Sequence, residues 1–160
     1  MTAEMSRVGQ ARMALLVVAS LSLCGCSSGG VTASKLENAV APTFANLVHV
    51  QELTLHANPT DPTSLRVTAS CDKVGAKRGG SGPGDYKCTL LWLIPGQRTP
   101  VHDGYEVSVT MDGCYTAKVD GDEARMGGPT ITARDGTSVT NLLYAFDGCF
   151  DADGASDGRP

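Results

Sequence analysis

Cysteine and histidine are the residues of this chain most able to act as nucleophiles, metal ligands or redox pairs. There are six cysteines and three histidines among 160 residues. Cys24 and Cys26 lie one residue apart. The other four cysteines are far apart in the sequence: Cys71, Cys88, Cys114 and Cys149. Redox-active dithiols and structural zinc sites typically use Cys-x-x-Cys, so the spacing at residues 24–26 excludes that redox motif.

The segment before Cys24 has the order of features of a secretory signal. Arg7 and Arg12 precede an apolar run from Met13 to Leu23. As a helix this run would span about 16 Å, roughly half the hydrocarbon thickness of a bilayer. It is therefore too short to cross a membrane and suits the apolar region of a signal peptide.

The residues that end this run, Leu23-Cys24-Gly25-Cys26, resemble a bacterial lipobox. The resemblance implies cleavage before Cys26, loss of Cys24 with the signal peptide and transfer of diacylglycerol to the Cys26 sulfur. A thioether-linked lipid and an acylated amino terminus would bury enough methylenes, at about 0.8 kcal/mol each, for stable anchoring. The alternative is an ordinary buried helix with two neighbouring cysteines. The order of charge, apolar run, small residues and Ser-Ser-Gly-Gly favours lipidation at Cys26, on the extracytoplasmic face of the cell membrane.

The four remaining cysteines favour two disulfides, since proteins outside the cytoplasm commonly oxidise an even set. Three pairings are possible. In residues 65–71 and 86–94, apolar and polar residues alternate as in strands, and a glycine-rich connection lies between the two segments. A Cys71–Cys88 bond would close a loop of about 16 residues and stabilise the fold by roughly 3 kcal/mol. Cys114 and Cys149 occur in two similar phrases, MDGCY and FDGCF. Asp-Gly favours a turn or bulge, and two such corners could bring these cysteines together. Local pattern thus favours Cys71–Cys88 and Cys114–Cys149 over the other pairings and over zinc binding.

Hydrophobic periodicity predicts an α+β domain over residues 34–150. Leu36, Val40, Phe44 and Leu47 follow helical spacing, and Ser34 with Glu37 forms a capping-box pattern, so we expect a helix over 34–56 that is kinked or restarted at Pro42. Predicted strands cover 65–71, 86–94, 104–111, 115–119, 130–134 and 142–146. One amino-terminal helix packed on an antiparallel sheet, with two disulfides, is the economical architecture.

The two ends of the chain complete the predicted domain organisation. Residues 1–25 are the signal peptide and 26–33 a tether. Residues 151–160 lack apolar periodicity and are predicted to be a disordered acidic tail. Removal of the signal peptide would change the formal net charge from −4 to −5.

Several phrases resemble a group of small actinobacterial secreted proteins and lipoproteins that share a conserved-cysteine domain without assigned activity. The phrases are ANLVHVQ, GDYKC, YEVSV followed by DGCYTA, and NLLYAFDGCFD. The resemblance covers most of residues 34–150. It implies an envelope location and a disulfide-bonded α+β fold, and it supplies no catalytic residue. One departure is Leu142, where proline is usual.

No pattern in the sequence predicts catalysis or a cofactor. His49, His56 and His102 stand outside any catalytic phrase, and we interpret them as surface residues; His102-Asp103 is assigned to a turn. A calcium loop centred on Gly154 would place a cysteine and a proline at ligand positions. The glycine-rich segment near residue 80 lacks the GK[ST] of a phosphate-binding loop. We therefore expect no enzyme activity, no metal and no cofactor.

The negative charge and the absence of a basic cluster argue against nucleic acid as a partner. Three function hypotheses follow. The first is a lipid-anchored, non-enzymatic binding or interaction module of the cell envelope, whose partner is an envelope protein or ligand. The second is an accessory substrate-binding component of a transporter. The third is a secreted inhibitor-like domain.

Overall fold

The computed structural model describes residues 30–57, 60–76, 80–121 and 126–153. The helices are α1 (Ala33–His56) and a short 3₁₀-helix, η1 (Pro62–Leu65). The strands are β1 (Thr68–Lys73), β2 (Gly84–Trp92), β3 (Val101–Val109), β4 (Cys114–Val119), β5 (Thr130–Thr132), β6 (Ser138–Thr140) and β7 (Ala145–Cys149). One helix packs on a five-stranded antiparallel sheet, so the α+β class predicted from the sequence is confirmed.

Helix α1 forms because its apolar residues recur every four positions on one face. Leu36, Val40, Phe44 and Val48 on this face are buried. The helix runs without interruption through Pro42 and ends at Ala57, which adopts the left-handed conformation. The prediction of Ser34 as the cap was wrong, because the Thr32 side chain accepts the Lys35 N–H and the helix begins one residue earlier.

The main sheet is a meander with the strand order β1-β2-β3-β4-β7, and every neighbouring pair is antiparallel. Between β4 and β7 the chain forms a separate two-stranded hairpin from β5 and β6. Alternate residues of the main sheet are buried beneath α1, and the residues between them face solvent. We refer to these two sides as the inner face and the outer face.

Phe44 of α1 is the centre of the aromatic core. Its ring centroid lies 5.2 Å from that of Trp92, 6.0 Å from Tyr105 and 6.3 Å from Phe146. The Tyr105 and Phe146 rings also meet edge to face at 5.3 Å. Strands β2, β3 and β7 therefore contact the helix through one cluster, a geometry that aromatic pairs favour.

The last predicted strand, 142–146, is displaced in the structure. Residues 142–144 form a turn, and β7 starts at Ala145. The Leu142 N–H donates a hydrogen bond to Gln51 Oε1 of α1 at 2.9 Å. A proline at this position would have no N–H to make this contact.

The folded body extends beyond the predicted domain of residues 34–150 at both ends. Val31 is buried, and its carbonyl accepts the Gly82 N–H at 2.7 Å. Ala152 is also buried, and its carbonyl accepts a hydrogen bond from Lys35 Nζ. Residues 31–33 of the predicted tether and 151–153 of the predicted tail thus belong to the folded domain. The remainder of those two segments, like the predicted signal peptide, lies outside the described residues.

Candidate functional site

The Cys71–Cys88 disulfide lies on the inner face at one edge of the main sheet. The two cysteines are directly opposite each other in β1 and β2, and both are buried. The Cys71 N–H donates to Glu37 Oε1 of α1 at 2.8 Å. This disulfide therefore belongs to the core and joins the edge strand to its neighbour beneath the helix.

The Cys114–Cys149 disulfide lies on the outer face at the other edge. Its cysteines are opposite each other in β4 and β7, and Cys149 is exposed. Next to this pair, the Phe150 N–H donates a hydrogen bond to the Gly113 carbonyl. Cys114 and Cys149 therefore form a non-hydrogen-bonded pair of the antiparallel ladder. Both disulfides predicted from the sequence are confirmed.

The two Asp-Gly-Cys phrases serve different structural purposes. Gly113 has φ of +82° in the turn between β3 and β4, as predicted, and a Cβ there would lie 2.3 Å from the Phe150 carbonyl oxygen. Gly148 instead lies within β7, where a Cβ would come within 2.6 Å of the Tyr115 hydroxyl oxygen. The second glycine is therefore required by the tyrosine packed across it, and the prediction of a second corner was wrong.

A buried carboxylate occupies the inner face at the start of β3. The Asp103 side chain is only 4% exposed, and its Oδ2 accepts a hydrogen bond from Trp92 Nε1 at 2.5 Å. Burial, and secondarily the negative charge of Asp103, raise the pKa of Tyr105 well above its ordinary value. The Tyr105 hydroxyl donates to the Leu143 carbonyl at 2.7 Å. These contacts fix the loop before β7 and hold Tyr105 as a neutral donor.

The assignment of His102-Asp103 to a turn was wrong, because both residues belong to β3. The residues Asp103, Tyr105, Val107 and Val109 alternate along one face of this strand, and all are buried. Extending the predicted alternation by one step towards the amino terminus would have placed Asp103 inside. A carboxylate at an inward position is rare, so the sequence pattern alone favoured the turn.

The three histidines occupy separate environments. His49 Nδ1 lies 2.6 Å from the Thr60 carbonyl oxygen, and His56 Nε2 lies 3.9 Å from Glu52 one helical turn away. His102 is opposite Leu91 on the outer face of β3. Among the described residues, no three histidine, cysteine, aspartate or glutamate side chains come close enough together to hold a metal ion.

The outer face carries a row of alternating charge across four strands. Asp72, Lys87, Glu106 and Lys118 are successive cross-strand neighbours in β1, β2, β3 and β4. Lys87 Nζ also lies 2.9 Å from Asp120 Oδ2, and this contact raises the pKa of Lys87. The row balances two cations with two anions. The outer face is thus a polar, solvated surface.

Shallow cavities occur at the edges of the domain. One cavity, of about 340 Å³, lies between α1 and η1. It is lined by Ala41, Pro42, Ala45, Asn46, Pro62, Thr63, Arg66 and Val67. A second, of about 370 Å³, lies where the described chain begins and is bordered by Gly30, Val31, Met111 and Asp153, together with residues 81–83 and Thr32. Neither cavity contains a histidine or a cysteine.

Cys26, the predicted lipidation site, lies outside the described residues. Within the part of the chain that the structure describes, no helix is long and apolar enough to span a membrane.

Comparison with known proteins finds no family model, curated protein or solved structure that matches this chain.

Proposed function

We propose that this chain is a lipid-anchored lipoprotein on the extracytoplasmic face of the cell membrane, and that its domain is a non-enzymatic binding or interaction module. Its partner would be a protein or ligand of the envelope. The group it resembles, small actinobacterial lipoproteins with a conserved-cysteine domain, has the same expected location.

The pairing of all four cysteines downstream of Cys26 is the observation that carries the proposal. Each cystine joins an edge strand to its inner neighbour, and the two bonds use every cysteine of the domain. Structural disulfides of this kind persist in oxidising compartments and are uncommon in the cytoplasm. This pattern supports export, and the lipobox-like residues 23–26 support retention at the membrane through Cys26.

The non-enzymatic part of the proposal draws support from how the reactive side chains are used. Cys71, Cys88, Cys114 and Cys149 are oxidised and supply no thiolate. His49 is held against a backbone carbonyl, and Asp103 is engaged by the Trp92 indole. These groups stabilise the fold, and the exposed loops and edges are left for contact with a partner.

Intact-mass measurement of the protein extracted from membranes tests the proposal. The expected species lacks residues 1–25, carries a diacylglycerol and an acyl chain, and lacks the four hydrogens of two disulfides. Cys26→Ser should abolish the lipid and release the protein from the membrane fraction.

Cys24→Ser is the matched control because it lies two residues away and is removed with the signal peptide. It should yield a mature protein of the same mass as the parent. A Cys26→Ser protein that is still processed at residue 26 and remains as firmly attached would contradict the proposal. Retention of residues 1–25 in the parent would do so as well.

A further inference from the structure

We propose that one end of this domain rests on the lipid bilayer, so that the opposite end projects away from the membrane. The inference depends on the proposed lipidation of Cys26. The proximal end, as we name it, consists of Gly30, Val31, Val74, Ser81, Gly82, Pro83, Met111 and Asp153.

The connection between the proximal end and the proposed anchor is short. Gly30 begins the described chain, and Val31 is already fixed in the body by burial and by its hydrogen bond to Gly82. Three residues lie between Cys26 and Gly30, so the four steps of the chain from one to the other can span at most about 14 Å when fully extended. A lipid inserted at Cys26 therefore holds the proximal end within a short distance of the headgroups.

Two exposed apolar side chains lie at the proximal end. Met111 is 82% exposed and Val74 is 55% exposed. Met111 borders the same cavity as Gly30, and Val74 follows β1 directly at the same end of the sheet. A flexible, unbranched methionine in this position can enter the headgroup region, where a tether makes even a weak contact effective by raising the local concentration.

Charge decides what kind of lipid surface fits. Lys35 and Lys73 near this end donate to the backbone carbonyls of Ala152 and Ser81. Asp112 and Asp151 accept hydrogen bonds from the neighbouring backbone, and Asp153 follows them. Among the described residues, two cations and three anions thus give this end no positive excess, and Lys77 and Arg78 of the β1–β2 connection lie outside those residues. Contact through the tether and apolar tips requires only a zwitterionic surface.

Helix α1 leads from the proximal end to the opposite end of the domain. It starts at Ala33, beside the proximal end, and its 24 residues extend for about 36 Å. Leu53, near its carboxyl end, is 42% exposed. The orientation would direct Leu53 and the end of α1 towards the exterior, and away from lipid.

Tryptophan quenching in the lipidated full-length chain tests this orientation. M111W and V74W report on the proximal end, and L53W is the matched control on α1. Each variant is first checked for the lipid by intact mass and then reconstituted into phosphatidylcholine vesicles with and without brominated acyl chains. The parent protein gives the background from buried Trp92.

We expect M111W and V74W to lose emission in the brominated vesicles and L53W to keep it. Equal quenching at all three positions, or no quenching in protein that carries the lipid, would overturn the orientation alone. Absence of the lipid from the intact mass would contradict the proposed function and the orientation together.

Discussion

The Glu37 carboxylate of α1 accepts a hydrogen bond from the backbone N–H of Cys71 at 2.8 Å, and this contact joins the helix to the edge of the sheet. Strand β1 has a partner on one side only. Unpaired N–H groups of an edge strand are sites where another chain can add. Glu37 therefore covers an edge donor at the same residue that forms the buried disulfide.

Loss of this contact should destabilise the domain. We expect Glu37→Ala to lower the free energy of unfolding by about 1–2 kcal/mol, since the Cys71 N–H loses a charged acceptor. Glu37→Gln retains an acceptor oxygen and should lose less. Urea denaturation with intact disulfides measures both. Glu52→Ala, on the same helix, removes the 3.9 Å contact with His56 and should change stability by less than about 0.5 kcal/mol. Equal losses for the Glu37 and Glu52 variants would refute the role of the contact.

The two disulfides should differ in their sensitivity to reductant. Cys149 lies exposed on the outer face, whereas Cys71 and Cys88 are buried under α1. Because exchange requires a thiolate to reach a sulfur atom, mild reductant should first open Cys114–Cys149. Alkylation of a partially reduced sample, followed by peptide mass mapping, would identify the two labelled cysteines. Labelling of Cys71 and Cys88 before the other pair would show that burial does not protect them.

Gly148 should resist replacement by alanine. The added Cβ would come within 2.8 Å of the Tyr115 ring, whose hydroxyl donates to Thr43 Oγ1 of α1. Displacing this ring should cost about 1–3 kcal/mol. Gly128→Ala is the control, since no atom lies within 4 Å of the added Cβ and its φ is not positive. Thermal unfolding should separate the two variants, and a Gly148→Ala protein as stable as the control would contradict the packing argument.

Alkaline pH should weaken the fold through Tyr105. Burial raises the pKa of its hydroxyl in the folded state, so the folded chain holds this proton more tightly than the unfolded chain. The contribution of Tyr105 to the free energy of unfolding is complete below the pKa of about 10 that tyrosine has in the unfolded chain, and it declines as pH rises above that value. The free energy of unfolding should fall above that pH in the parent protein and fall less steeply in Tyr105→Phe. Parallel profiles would show that another group dominates.

Much of the scaffold was predictable because hydrophobic spacing reports burial directly. Local patterns predicted the helical spacing of apolar residues in α1 and the alternation of apolar and polar residues in β2 and β3. They also predicted which cysteines face each other at the two edges of the sheet. The helix prediction of 34–56 compares with Ala33–His56 in the structure. Such patterns are local, so they require no knowledge of which elements come together.

Contacts between distant elements could not be predicted in this way. Glu37 was interpreted as a capping-box residue, yet its carboxylate reaches Cys71, 34 positions away. Asp103 was placed in a turn because its partner, the Trp92 indole, becomes apparent only once β2 and β3 are paired. Strand β6 was also missed; it pairs with β5 alone, outside the main sheet. For Glu37 and Asp103, the environment of the side chain depends on tertiary packing.

The two cystine loops, residues 71–88 and 114–149, follow one another along the chain without overlap. A single peptide bond cut inside either loop would therefore leave both fragments covalently joined. A protease that nicks the β1–β2 connection or the β5–β6 hairpin would yield a product that migrates as one chain until its disulfides are reduced. In the extracytoplasmic location proposed above, hydrolysed polypeptide cannot be resynthesised in place. This connectivity would there let the domain tolerate a nick that would separate an unbridged protein into two pieces.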